Sequence, residues 1–180
     1  MVVHEPERGY GAACLKAIAA LPPACDAVVF MQADASEDPA EAALLLAPLR
    51  EGRADLVIGS RTLGSAEPGA LLPHQEFGNR IACTLMHWFW GHRFTDLGPF
   101  RAIRVESLRS LGMRDRNYGW TVEMQVRALQ QRLRVLEVPV SYRKRLAGVN
   151  KVSGNWKASL AAGWKILSTV ASLWINPHHP

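Results

Sequence analysis

The stretch AVVFMQADASEDPAEAALLLAPLREGRADLVIG, residues 27–59, decides the fold of this chain. It opens with a short apolar run, Ala27–Met31, that has no alternation, as in a strand of a parallel sheet covered on both faces. A helix follows, because Asp38 can cap its start and Gly52 can end it. A second apolar run then occupies residues 54–59. Strand, helix and strand in this order predict a parallel α/β sheet with right-handed crossovers.

The segments on either side extend this prediction. Residues 2–21 are predicted to hold the end of a strand, a glycine turn and an Ala-rich helix. Further along the chain we predict a Gly/Pro loop over 62–76, helices over 77–90 and 121–133, and strands near 96–103 and 134–142, with Pro139 suited to a sheet edge. Because the chain opens in mid-strand, we expect an earlier βα unit in front of it and interpret it as an N-terminally truncated domain.

The last segment, residues 155–175, is amphipathic at helical spacing. One interpretation is a helix docked on the body, and the other is a basic, Trp-bearing helix in a membrane interface. The aromatic end of the helix over 77–90 allows the same two interpretations. We expect two parts, residues 1–154 and a C-terminal helix and tail over 155–180. The predicted apolar stripe consists of Trp156, Leu160, Trp164, Leu167 and Ala171.

Composition excludes several classes of protein. At 180 residues and 48% apolar, the chain can bury a core and is not a disordered tail. Its three cysteines lack CxxC spacing, so neither a disulfide framework nor a zinc site is indicated. No signal peptide is recognisable, and Lys165 interrupts the best candidate for a membrane span. We therefore expect a cytoplasmic protein that can lie at the inner face of the membrane.

Charge divides the chain into an acidic and a basic part. Residues 1–100 hold 7 Lys and Arg against 12 Asp and Glu, and residues 101–151 hold 12 against 4. The acidic part could bind an anionic ligand through a metal ion, and the basic part could contact the same ligand directly. Nucleic acid is a poor candidate for that ligand, because the basic loop over 142–154 has no interleaved aromatics and no known binding module surrounds it.

Four polar segments could carry chemistry. In the first, QADASED, Asp34 is a plausible metal ligand, while Gln32 stands where a second carboxylate would be expected; the alternative is that this segment only caps a helix. The second, DLGPFR, holds an acid and a base five residues apart, Asp96 and Arg101. The alternative to a chemical role for them is an ion pair that fixes the turn. The third places Glu123 in the first turn of a helix, where a carboxylate is favoured in any case. The fourth is the basic loop, whose cations and glycines suit phosphate capture.

Taken in order, these segments resemble a family-2 glycosyltransferase of the GT-A fold. The resemblance is to the dolichyl-phosphate mannosyltransferase-like branch, which includes bacterial polyprenyl-phosphate sugar transferases. It covers nearly the whole chain. Relatives begin with N-terminal strands that have no counterpart in this sequence. The matching segments are ERGYGAA, FMQADASEDP, ADLVIGSR, FGNR, DLGPFRAIR, YGWTVEMQ and VPVSYRKRLAGVNKVSG. The fold implied is a mostly parallel sheet flanked by helices.

The resemblance also implies roles for individual residues. Asp34 and Gln32 would occupy the motif that holds Mg²⁺ or Mn²⁺ on a nucleotide-sugar diphosphate. Asp96 and Glu123 would be catalytic or sugar-positioning acids. The implied substrate-binding residues are Arg8, Gly9, Arg61, Arg101, Arg145, Lys151 and Ser153.

The function expected from this resemblance is sugar transfer from a nucleoside-diphosphate sugar. A polyprenyl phosphate acceptor would need no strong general base, whereas a hydroxyl acceptor would require one of the acids to accept a proton. Peripheral membrane contact is a further expectation. Two alternatives stay open: a non-catalytic remnant that acts at most as a binding module, and a nucleotidyltransferase with a similar sheet.

Overall fold

The computed structural model describes residues 2–146 and 156–175. Helices and strands alternate through most of the chain, as the sequence predicts. In order, the elements are α1 (Tyr10–Ala19), β1 (Ala27–Phe30), a 3-10 turn (Pro39–Glu41), α2 (Ala42–Arg50), β2 (Leu56–Ala66), α3 (Pro73–Trp90), β3 (Arg101–Arg104), α4 (Val105–Leu111), α5 (Trp120–Gln130), β4 (Val135–Tyr142) and α6 (Trp156–Ile175).

The four strands form one mixed sheet in the order β1-β3-β2-β4. β2 and β4 are parallel neighbours, whereas β3 lies antiparallel between β1 and β2. β1, β2 and β4 therefore run in one direction, as expected of a mostly parallel sheet, but β1 and β2 are not adjacent. β4 forms one edge of the sheet, which confirms the edge position predicted from Pro139.

Apolar side chains cover both faces of the sheet, as the unalternating strands predict. On β2, Leu56 and Ile58 face a large cluster with α3, α5 and α6, while Val57 between them faces α2. This division follows from the two-residue period of a strand. The loops at the strand ends consequently sit at the rim of a core that is closed on both sides.

Two predictions about local structure are wrong. Residues 2–9 contain no strand, and the chain enters α1 at Tyr10. The predicted Gly/Pro loop is strand up to Ala66, because β4 continues alongside and pairs Ser65 with Ser141. Gly64 permits this pairing, since a Cβ there would lie 2.0 Å from the carbonyl oxygen of Val140.

The C-terminal helix α6 packs on α3 and α5. Val170 is buried in this contact, and Ile166 and Leu173 pack beside it. Trp164 and Ala171, which belong to the predicted apolar stripe, are exposed instead. A boundary at residue 154 stays a prediction. Within the described ranges, no helix is long and apolar enough to cross a membrane.

Candidate functional site

The acidic turn after β1 is held by its own side chains. Asp34 Oδ1 accepts hydrogen bonds from the Ser36 backbone nitrogen at 3.0 Å and from Ser36 Oγ at 2.5 Å. Between them Ala35 takes a left-handed backbone with φ of 62°, a conformation that costs a non-glycine residue energy. Asp38 caps the following 3-10 turn through the Ala40 nitrogen, as predicted. The strained turn fixes the direction of the Asp34 carboxylate.

Asp34 and Arg145, predicted separately as metal and phosphate ligands, form an ion pair. Asp34 Oδ2 lies 2.9 Å from Arg145 Nη2. Two backbone hydrogen bonds hold the segments together, from the Arg143 nitrogen to the Ser36 carbonyl and from the Leu146 nitrogen to the Asp34 carbonyl. The acidic turn and the start of the basic loop are therefore one structural unit.

Glu37 is a buried acid that the sequence analysis missed. It is 2% exposed, and its Oε2 accepts a hydrogen bond from the Gln32 nitrogen at 2.7 Å. Its Oε1 is buried without a hydrogen-bond partner among the described residues. Burial raises the pKa of Glu37 to about 7, against the lowering effect of the Gln32 hydrogen bond and of Arg61. A buried carboxyl with one unsatisfied oxygen thus lies directly behind the acidic turn.

Asp96, which is buried, is the centre of a second unit. Its carboxylate binds Arg61 through both oxygens, with Nε at 2.8 Å from Oδ2 and Nη2 at 2.7 Å from Oδ1. The Arg61 guanidinium also lies over the Tyr142 ring, 5.0 Å from its centroid. Burial by itself lowers the pKa of Arg61, whereas the hydrogen bonds and the charge of Asp96 raise it. The net shift is upward. Asp96 therefore holds and orients Arg61.

Neighbouring elements lock the Asp96 turn. The carboxylate of Glu137 on β4 accepts from the nitrogens of Thr95 and Asp96, and Asn79 on α3 bonds both the Leu97 nitrogen and the Thr95 carbonyl. From α5, Gln125 donates to the Asp96 carbonyl at 3.0 Å. None of these three anchors was predicted. The signal that could have revealed Glu137 is a lone acid inside the apolar run VLEVPV.

Arg101 does not pair with Asp96, so the ion pair considered as an alternative is wrong. Its guanidinium is fully buried and donates to the carbonyls of Thr121, Leu97 and Gly98. The register of β3 dictates this position, because Arg101 pairs with Phe30 at the end of β1 and faces the core side of the turn. Burial lowers the pKa of Arg101 to about 10, which leaves it charged at neutral pH.

Glu123 lies on the other side of α5. Thr121 and Gln125, which are one turn apart, contact Arg101 and the Asp96 turn. Glu123 lies midway between them in sequence, so its side chain points to the opposite side of the helix. The Glu123 carboxylate accepts from the Arg114 and Asp115 nitrogens and pairs with Arg127 at 2.9 Å. The structure therefore does not bring Glu123 together with Asp96.

The remaining predicted residues divide into two groups. Gly9 begins α1 at a close backbone approach, where a Cβ would lie 2.1 Å from the Arg116 carbonyl oxygen. Arg8 beside it is exposed. Lys151 and Ser153 lie outside the described residues. The structure thus gathers Gln32, Asp34, Arg61, Asp96, Arg101 and Arg145 around the ends of β1 and β4, the middle of β2 and the start of β3, and leaves Glu123 on a different face.

The family model described as Glycosyl transferase family 2 matches residues 1–112. This chain belongs to glycosyl transferase family 2. An uncharacterized glycosyltransferase of Mycobacterium tuberculosis (strain ATCC 25618 / H37Rv) is 38% identical over 174 residues, which are 93% of this chain and 76% of that relative. The undecaprenyl-phosphate mannosyltransferase of Micrococcus luteus is 31% identical over 137 residues, 72% of this chain and 54% of that enzyme. The resemblance drawn from the seven segments is confirmed.

The GT-A glycosyltransferase fold is also confirmed by a solved structure. Glucosyl-3-phosphoglycerate synthase from Mycobacterium tuberculosis, in complex with Mn²⁺, UDP-glucose and phosphoglyceric acid, superposes with a TM-score of 0.70 at 21% identity. The match covers 93% of this chain and 55% of that one. This family-2 chain thus spans about half the length of that synthase and of the mannosyltransferase.

The acidic turn of this family-2 chain offers oxygen ligands of the kind a hard divalent cation prefers. Ser36 Oγ lies 2.5 Å from Asp34 Oδ1 and 3.4 Å from Gln32 Oε1, so three oxygens converge. Across the described residues, no group of three or more His, Cys, Asp or Glu side chains could hold a metal. The turn therefore offers a cation one carboxylate, and further charged ligands would have to come from outside these side chains, as phosphate oxygens could.

A cleft of about 710 Å³ adjoins the Asp96 turn on the α3 side. Arg61 and Asp96 line it, and Glu76 is the other acid that lines it. Arg80 and Arg93 are exposed and make no ion pair within the described part of the chain. Apolar side chains contribute the rest of the wall, among them Leu71 and Phe94. The cleft combines positive charge with an apolar lining.

Proposed function

We propose that this chain transfers a sugar from a nucleoside-diphosphate sugar to an acceptor phosphate, and that the diphosphate binds between the acidic turn and the basic loop. The Asp34–Arg145 ion pair carries this proposal, because it joins a carboxylate that could hold a cation to a guanidinium that could hold a phosphate. Family-2 membership supports it, as does the synthase of the same fold that binds UDP-glucose with Mn²⁺.

On the donor side, Asp34 is the charged ligand for Mg²⁺ or Mn²⁺, assisted by the side-chain oxygens of Gln32 and Ser36. A bound divalent cation would neutralise charge on the departing diphosphate. When the donor binds, Arg145 leaves Asp34 and takes a phosphate oxygen. We keep Lys151 and Ser153 as further phosphate contacts, and Arg8 and Gly9 as contacts to the nucleotide end of the donor.

The transfer step needs little proton chemistry if the acceptor is a phosphate. An acceptor oxygen forms a bond to the anomeric carbon while the bond from that carbon to the diphosphate oxygen breaks, and its electron pair leaves with the nucleoside diphosphate. Asp96 acts in this scheme as a positioning residue, because both its oxygens are held by Arg61. Arg101 supports the same turn from below through the carbonyls it bonds.

We assign the acceptor to the cleft beside α3 and propose a polyprenyl phosphate. Arg61, Arg80 and Arg93 provide charge for a phosphate, and the apolar lining suits the first part of a lipid chain. The similarity to an undecaprenyl-phosphate mannosyltransferase supports this acceptor. Glu76 is the one acid lining the cleft that could accept a proton from a hydroxyl acceptor without breaking the Asp96–Arg61 pair.

A binding module without turnover is the second candidate. The observation in its favour is Gln32, whose neutral amide replaces a carboxylate at the acidic turn. Such a module would bind a nucleoside diphosphate with the same residues and leave the sugar in place.

The test is a transfer assay with labelled UDP- and GDP-sugars, undecaprenyl phosphate, and Mg²⁺ or Mn²⁺. We expect lipid-linked product, and we expect Asp34→Asn to lower its rate roughly 100-fold. Glu106→Gln, at an exposed acid on α4, is the matched control and should leave the rate unchanged. Glu76→Gln should have little effect with a phosphate acceptor and a large effect with a hydroxyl acceptor.

Binding of the donor without any transfer would favour the second candidate. Failure of Asp34→Asn to reduce either binding or transfer would remove Asp34 from the donor site and overturn the proposal.

A further inference from the structure

Several large apolar side chains of α6 are left uncovered by the body of the protein. Trp164 is 75% exposed and Ile175 is 70% exposed. Three turns of helix separate these two residues, which places them and Ala171 along one line of the surface. The side of α6 that packs on the body carries Val170 instead, which is 1% exposed. The exposed line is therefore unpartnered by the described part of the chain.

The end of α3 extends this apolar surface. Trp174 stacks on Phe89 with ring centroids 4.8 Å apart and meets the edge of Trp90 at 5.8 Å. This stacking brings the ends of α3 and α6 together. Trp88, one residue before Phe89, is 72% exposed, and Trp174 is itself 50% exposed. We call the exposed side chains Trp88, Trp164, Trp174 and Ile175 the aromatic face.

The helices that carry the aromatic face hold more Arg and Lys than Asp and Glu. Neither residues 77–95 nor residues 156–175 contain an Asp or Glu, although these ranges carry four Arg and Lys residues and two of the six histidines. Lys165 pairs with Asp115 of the loop before α5, whereas Arg80 and Arg93 have no ion pair in the described ranges. Two copies of such a face would repel each other if they docked together, and an anionic surface would attract it.

We propose that the aromatic face docks on an anionic lipid bilayer, with α6 lying in the plane of the interface. Tryptophan is favoured there, because its ring is apolar and its N–H can reach water or headgroups. An interfacial helix of this kind buries its apolar side about 5–10 Å into the headgroup boundary and crosses nothing. This proposal does not depend on sugar transfer. The aromatic face and the cleft are nevertheless neighbours, because α3 carries both Trp88 and Arg80 of the cleft wall.

The experiment is co-sedimentation of the chain with vesicles of phosphatidylcholine alone and of phosphatidylcholine mixed with phosphatidylglycerol. We expect binding to the mixed vesicles, weakened by salt, and a blue shift of the Trp fluorescence. The double variant Trp164→Ser/Ile175→Ser should bind at least about tenfold more weakly. Leu44→Ser is the matched control, because Leu44 is 49% exposed on α2, on the opposite side of the sheet, and should bind as wild type.

Both substitutions fall on exposed side chains, so thermal unfolding should show that each variant folds. Absence of binding to the anionic vesicles, or wild-type binding by the double variant, would overturn the proposal. So would a dimer in sedimentation equilibrium that the double variant abolishes, because a second copy would then cover the face. No nucleotide sugar enters the measurement, so its outcome is separate from that of the transfer assay.

Discussion

The two polar turns of the site are built in opposite ways. The Asp96 turn is buried, and side chains from β4, α3 and α5 satisfy its backbone groups. The acidic turn at Asp34 is held by its own Ser36, carries a left-handed alanine, and lies over a Glu37 oxygen that has no partner among the described residues. The first arrangement is typical of a scaffold, and the second of a place where a ligand completes the bonding.

If the Asp96 turn is the scaffold, removing its central charge should cause the largest loss of stability. Asp96→Ala leaves the largely buried guanidinium of Arg61 without its partner, and breaking a buried pair in this way costs up to about 3–5 kcal/mol. Urea unfolding followed by circular dichroism measures this loss. The control is Glu51→Ala, which breaks an exposed pair with Arg53 and should cost less than about 1 kcal/mol. Equal losses in the two variants would contradict the contrast between the turns.

The buried Glu37 carboxyl should make stability depend on pH. Its pKa is raised by burial from 4.5 to about 7, so the folded state prefers the protonated form. The stabilisation is complete below pH 4.5 and is lost as pH rises through about 7, a loss of about 3 kcal/mol. We expect Glu37→Gln to remove this part of the pH dependence when unfolding is measured in EDTA. Glu106→Gln, at an exposed acid, should keep the wild-type profile.

The contrast between the turns also explains what the sequence could predict. Asp34, Asp38 and the strands beside them are visible because an apolar run, an acid cluster and a capping pattern lie within twelve residues. Local signals of this kind can be recognised in a sequence without knowledge of the tertiary fold.

The partners of the Asp96 turn could not be found in this way. Glu137 is 41 residues from Asp96, and Gln125 is 29 residues away, so their contacts depend on strand order and helix rotation. Arg101 has an acid five residues before it in sequence, yet the β3 register turns it toward backbone carbonyls. The antiparallel position of β3, which has no local signature, decides each of these contacts.

The smallest loss of stability is expected when the ion pair of the acidic turn is broken at Arg145. The same substitution should have opposite effects on the binding of the metal and of the nucleotide. Arg145 is one-third exposed, so Arg145→Gln should destabilise the protein by less than about 1 kcal/mol. Without nucleotide, the variant should bind Mn²⁺ more tightly, because the guanidinium no longer occupies Asp34 Oδ2. With UDP present it should bind the nucleotide more weakly, because a charged phosphate contact is lost. Titration calorimetry of both ligands measures these shifts, with Arg53→Gln, which breaks an exposed pair with Glu51 outside the site, as the control. Weaker Mn²⁺ binding by Arg145→Gln in the absence of UDP would show that Arg145 supports the metal site and does not compete for it.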